Sequence, residues 1–110
     1  MELIIEENEG VSVIKITGNL DTNTAPEAEN KINEMINDGK DKMIVDLNET
    51  GFVSSAGLRV FLSTAKQITA KGGAVKFCGA NEVVQEILDI SGFSSILDVK
   101  SSLDEALSTF

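Results

Sequence analysis

Apolar residues along this chain follow two different periods. Leu3, Ile4 and Ile5 form a short apolar run, Glu9-Gly10 marks a turn, and Val11 to Thr17 follows, with Ile14 and Ile16 breaking the alternation begun by Val11 and Val13. Two short apolar runs across such a turn predict an antiparallel hairpin at one side of a sheet. A polar loop runs from Gly18 to Pro26. In it Thr24, Pro26 and Glu27 are spaced as a helix start, with Thr24 capping, Pro26 in the first turn and Glu27 completing a capping box. That helix buries Ala28, Ile32, Met35 and Ile36 and stops at Gly39. Met43 to Leu47 reads as a buried strand, after which Leu58, Phe61, Leu62, Ala65 and Ile68 recur at three- and four-residue steps and predict an amphipathic helix ended by Lys71-Gly72-Gly73. Ala74 to Cys78 is the next strand. Asn81 caps a third helix to about Ile90, with Val83, Val84, Ile87 and Leu88 inward and Gly92 closing it. Ile96 to Val99 reads as a short last strand. Ser101 or Ser102 then caps a final helix carrying Leu103, Ala106, Leu107 and Phe110, with Asp104 and Glu105 in its first turn.

Helix alternating with strand favours parallel pairing through right-handed crossovers. The expected architecture is α/β: a mixed sheet of about four to five strands with an N-terminal antiparallel hairpin, and about four helices. At 110 residues and 42% hydrophobic, the chain is expected to form one domain over residues 1–110. Its 18 acidic residues against 9 Lys and Arg give a formal charge of −9, which repels phosphate backbones and anionic lipid surfaces and argues against nucleic-acid binding. No apolar run reaches the length of a membrane span, and Met1 to Glu9 is acidic where a signal peptide is basic and apolar. A cytoplasmic protein without membrane insertion is expected. The single cysteine, Cys78, lies in an apolar run and reads as a small core residue.

The stretch Phe52-Val53-Ser54-Ser55-Ala56-Gly57-Leu58 places two neighbouring hydroxyls where a buried strand gives way to a helix. Ser54 or Ser55 falls at the cap, and a phosphoryl group there would gain from unpaired first-turn N–H groups and the helix dipole. An ordinary capping serine fits the same spacing. Catalysis finds little support: the chain has no histidine, and its glycines fit neither a phosphate-cradling loop nor a dinucleotide fingerprint. No metal, cofactor or catalytic residue is expected, and exposed carboxylates such as Glu27, Glu29, Glu34, Glu82 and Glu86 read as solvated charges.

Gly18-Asn19-Leu20-Asp21 with Thr24-Ala25-Pro26, then Ile44-Val45-Asp46-Leu47, Phe52 to Leu58, and Gly92-Phe93 together resemble the anti-sigma factor antagonist family, the bacterial single-domain members of the STAS class. The resemblance covers essentially the whole chain. It implies the STAS-type fold and a regulatory binding protein that is not an enzyme. By that resemblance, the unphosphorylated protein binds an anti-sigma factor that is also a serine kinase and releases the sigma factor. Phosphorylation of one serine switches binding off, and a phosphoserine phosphatase restores it.

The family pattern Asp-Ser-Ser-Gly-Leu, phosphorylated on its first serine, places the phosphate on Ser55, with Ser54 as the alternative. Ser54 stands where the family usually has Asp, which deletes a charge and adds a competing hydroxyl, and Ala56 stands where a second Ser is common. The implied partner-binding surface comprises Asp21, Thr24, Ser54, Ser55, Ala56, Gly57 and Arg59, with Asp46 orienting the loop. A free monomer is implied as well. The alternative is a stand-alone STAS interaction module of a stressosome-like or transport-associated complex.

Overall fold

The computed structural model describes all residues from 1 to 110. Strands β1 (Glu2–Asn8) and β2 (Val11–Leu20) form the antiparallel hairpin, pairing Glu2 with Thr17 through to Asn8 with Val11. Glu9 and Gly10 close it at φ of 52° and 85°. Two successive positive φ angles match the right-handed twist of the strands they join. The chain continues through α1 (Ala25–Asn37), β3 (Lys42–Asp46), β4 (Thr50–Val53), α2 (Ser55–Ala70), β5 (Ala74–Cys78), α3 (Glu82–Ile90), a 3-10 turn (Phe93–Ser95), β6 (Val99–Lys100) and α4 (Leu103–Ser108). The sheet runs β1-β2-β3-β5-β6, parallel from β2 onward, and β4 pairs in parallel with the far end of β2.

The broken alternation of β2 has a direct cause, because both faces of this strand are covered. Ile14 and Ile16 join Met43, Val45 and Phe77 under α1 and α2, in a cluster of 21 buried residues that also takes Ala28, Ile32, Leu58, Phe61 and Ile68. Val11 and Val13 point the other way and cluster with Ile44, Cys78 and Ala106 of α4. The mixed sheet, its antiparallel hairpin and the four helices are those expected from sequence.

Five details differ, one of them being that Phe110, expected on the final helix, lies beyond the end of α4 and is exposed. The sheet holds a further strand, β4, which extends β2 beyond Thr17 to Leu20 after a shift in register between Gly18 and Asn19. Thr24 stands at the α1 cap without a side-chain cap bond, so no capping box with Glu27 forms. Its hydroxyl donates instead to Asn19 O at 2.8 Å and accepts from Asp21 N at 2.9 Å, bracing the loop. The last strand is Val99–Lys100 rather than Ile96 to Val99, since Gly92, at φ 81°, opens the 3-10 turn and Leu97 N bonds back to Phe93 O. Leu97 is thereby buried and Ile96 exposed. Val83 is exposed as well, because only Val84 and Leu88 of α3 are fully buried and Ile87 is half-buried.

Candidate functional site

Backbone pairing builds the site. Val53 pairs with Leu20 across β4 and β2, and Ser54 N donates to Leu20 O at 2.8 Å, so the chain turns into α2 beside the loop that follows Leu20. Thr50, fully buried, anchors β4 by donating its hydroxyl to Ile16 O at 2.6 Å. Asn81 ties the strand to α3: its amide donates to Thr50 O at 3.1 Å while its Oδ1 caps α3 by accepting from Val84 N at 2.8 Å. These two anchors escaped the sequence reading. Asn81 was expected only as a cap, and nothing local marks Thr50. Asp46 does orient the turn before β4, its Oδ1 accepting from Asn48 N at 3.0 Å, as expected.

The two serines take different roles. Ser54 is the N-cap, in extended conformation, with its Oγ accepting from Gly57 N at 3.4 Å. Ser55 is the first helical residue, exposed, and its hydroxyl enters none of the side-chain hydrogen bonds. No acidic residue lies in the first turn of α2, so its unpaired N–H groups and positive dipole end face no carboxylate of their own helix. Ala56 is half-buried and lines a shallow groove with Arg59 and the start of α1.

Gly57, expected to contribute to partner binding, is buried at the first turn of α2. A Cβ there would sit 2.8 Å from Val53 Cγ1 and 2.9 Å from Leu20 O. Glycine at this position lets the first turn of α2 rest directly on the end of β2.

Asp21 is half-buried in the loop beside the serines, where its Oδ1 accepts from Asn23 N at 2.9 Å and Thr24 N at 3.2 Å. Asp21 and Thr24 thus hold one another and fix the loop that flanks the site. Arg59 is exposed one turn along α2 from Ser55 and takes part in no ion pair. The structure therefore brings Asp21, Thr24, Ser54, Ser55, Ala56 and Arg59 into one neighbourhood, with Gly57 under them.

Away from this junction, Cys78 is fully buried, and burial followed by the Asp46 charge pushes its thiol up to about 12. It remains protonated and inert at neutral pH. No group of three or more His, Cys, Asp or Glu is gathered to hold a metal, and no helix is long and apolar enough to cross a membrane.

Residues 2–106 match the STAS domain family. BtrV of Bordetella bronchiseptica, assigned as an anti-sigma factor antagonist, is 31% identical over 110 residues, which are 100% of this chain and 95% of that protein. The crystal structure of an anti-sigma factor antagonist from Mycobacterium paratuberculosis superposes with a TM-score of 0.91 at 24% identity, covering 98% of this chain and 92% of that one. SpoIIAA, a Bacillus cell fate determinant solved in its phosphorylated form, gives a TM-score of 0.75 at 19% identity over 98% of both chains. The two structures speak for the fold alone. With a family match along nearly its whole length and a relative of matching length at 31% identity, the chain belongs to the STAS-domain anti-sigma factor antagonist family.

Proposed function

We propose that this chain is an anti-sigma factor antagonist whose unphosphorylated form binds an anti-sigma factor with serine kinase activity and frees the sigma factor, and that phosphate on Ser55 ends that binding. The observation that carries the choice of residue is the division of labour between the serines: Ser54 is committed to the helix cap, and Ser55 is exposed with a free hydroxyl. The partner kinase supplies the chemistry, so this chain needs neither base nor metal. Phosphate adds close to two negative charges and a tetrahedral group to a surface the partner contacts. The first-turn N–H groups stabilise it with little backbone change, while dehydration and repulsion against the partner lower affinity. Asp21, Thr24, Ala56 and Arg59 complete the recognition surface, and a phosphoserine phosphatase reverses the switch.

The test is incubation of the purified protein with kinase-type anti-sigma factors of the same organism, ATP and magnesium, followed by mass spectrometric location of the phosphate. Phosphate on Ser55, lost in Ser55→Ala while partner binding survives, is the expected result. Phosphate on Ser54 moves the switch by one residue, and the absence of both modification and binding with every candidate overturns the proposal.

A further inference from the structure

Charge is distributed unequally over the three longest helices. The 16 residues of α2 contain Arg59 and Lys66 and not one Asp or Glu, in a chain with 18 acidic residues and a net charge of −9. By contrast α1 carries Glu27, Glu29 and Glu34, and α3 carries Glu82, Glu86 and Asp89. Arg59 and Lys66 are both exposed, and neither is held by an ion pair, whereas Lys15, Lys31, Lys40, Lys76 and Lys100 all are.

Ser55 and Arg59 are four residues apart in one continuous helix. At that spacing side chains share a face, with Cβ atoms about 5–6 Å apart. Helical side chains also lean toward the N-terminus, so from its place beside the groove with α1 the long Arg59 side chain is within reach of the turn that starts at Ser55. A helix terminus alone would suit any anion; what distinguishes this one is a guanidinium on the same face with no carboxylate engaging it. The facing charges are few. Glu29 of α1 lines the groove beside Arg59 without pairing with it, Lys66 lies further along α2, and Asp21 in the neighbouring loop is tied into its own turn.

We infer that Arg59 is the intramolecular partner of phosphorylated Ser55, closing over the phosphate as an i, i+4 ion pair so that its charge is no longer free to meet a partner. The modification then has two effects at once: it adds an anion and withdraws a cation. The inference rests on Ser55 as the modified residue, and its test is independent of any kinase.

Phosphoserine is placed at position 55 by genetic encoding, and the second ionisation of the phosphate is followed by phosphorus NMR against pH in the otherwise wild-type chain and in Arg59→Gln, Arg59→Lys and Lys66→Gln. Paired with Arg59, the phosphate ionises at a pH lower by about 0.2–0.4 unit than in Arg59→Gln, as suits an exposed pair of this spacing. Arg59→Lys keeps most of that difference, and Lys66→Gln leaves the wild-type value in place. Equal ionisation in wild type and Arg59→Gln overturns the inference. So does an equal rise in Lys66→Gln, which would make the effect one of general surface charge. If the kinase proves to modify Ser54, the NMR result at position 55 is unaffected and the two failures are told apart.

Discussion

One face of the sheet is closed by α1, α2 and α3 over 21 buried residues, whereas the other is closed by the six-residue α4 over five, with charged pairs at its edge. On the first face Phe61 of α2 meets Phe77 of β5 with ring centroids 4.9 Å apart. On the second, Lys76 binds Asp98 at 2.8 Å, Asp98 also holds Lys100 at 3.2 Å, and the Lys76 ammonium lies 5.1 Å from the Phe110 ring centroid. The difference places the site. The serines stand at the start of a helix anchored by apolar side chains, Phe61 and Ile68 among them, so a change of charge at Ser55 leaves its scaffold standing. The α4 side depends on fewer apolar contacts and on pairs that protons and salt weaken.

Phe61→Ala separates the faces most sharply. It removes a fully buried ring from the larger cluster and is expected to lower unfolding free energy by about 3–5 kcal/mol in urea titration. Leu107→Ala, on the partly buried face of α4, is expected to cost about 1–2 kcal/mol. Hydrogen exchange should locate the loosening in α4 and leave α2 protected. An equal loss of protection in α2 would mean that the two faces open as one.

Ser54→Ala removes the cap of α2 and is expected to cost about 1 kcal/mol or less, given the 3.4 Å bond to Gly57 N, with faster amide exchange confined to the first turn. The smallest effect is the pH response of the second face. A hydrogen bond from Lys76, helped by one from Lys100, holds the Asp98 carboxyl below its ordinary value of 3.8. A carboxylate depressed in the folded state stabilises above its unfolded value, and that stabilisation disappears as pH falls through the folded one. The Asp98 side chain is 43% exposed, so screening leaves roughly 0.5 kcal/mol. Wild type should therefore exceed Asp98→Asn by about that amount from pH 7 down to pH 5 and converge with it near pH 2.

Sequence revealed the elements whose signals are local and long. The helices announced themselves through three- and four-residue apolar steps, and the serine junction through its position between a strand and such a helix. What stayed hidden depended on distant partners. Strand β4 is four residues with a glycine inside, too short for alternation to show, and it exists because β2 runs on past Gly18 to meet it. Thr24 and Glu27 carry the spacing of a capping box, yet the Thr24 hydroxyl bonds to Asn19 O, which only the folded loop brings near. Thr50 looks like any loop threonine until Ile16 O is found beneath it. The broken alternation of Val11 to Ile16 became intelligible only with helices seen on both faces.

For anyone wishing to retarget the proposed switch to a different kinase or client, the contact between Gly57 and the end of β2 divides the motif into what is editable and what is not. Positions 54, 56 and 59 lie at or near the surface and can be recoded to suit another partner's chemistry, with the Ser55 hydroxyl kept between them. Position 57 cannot be. Any side chain there meets Leu20 O and Val53, lifts the first turn of α2 off its seat, and moves the acceptor hydroxyl with it, so a library should hold that codon fixed and vary its neighbours.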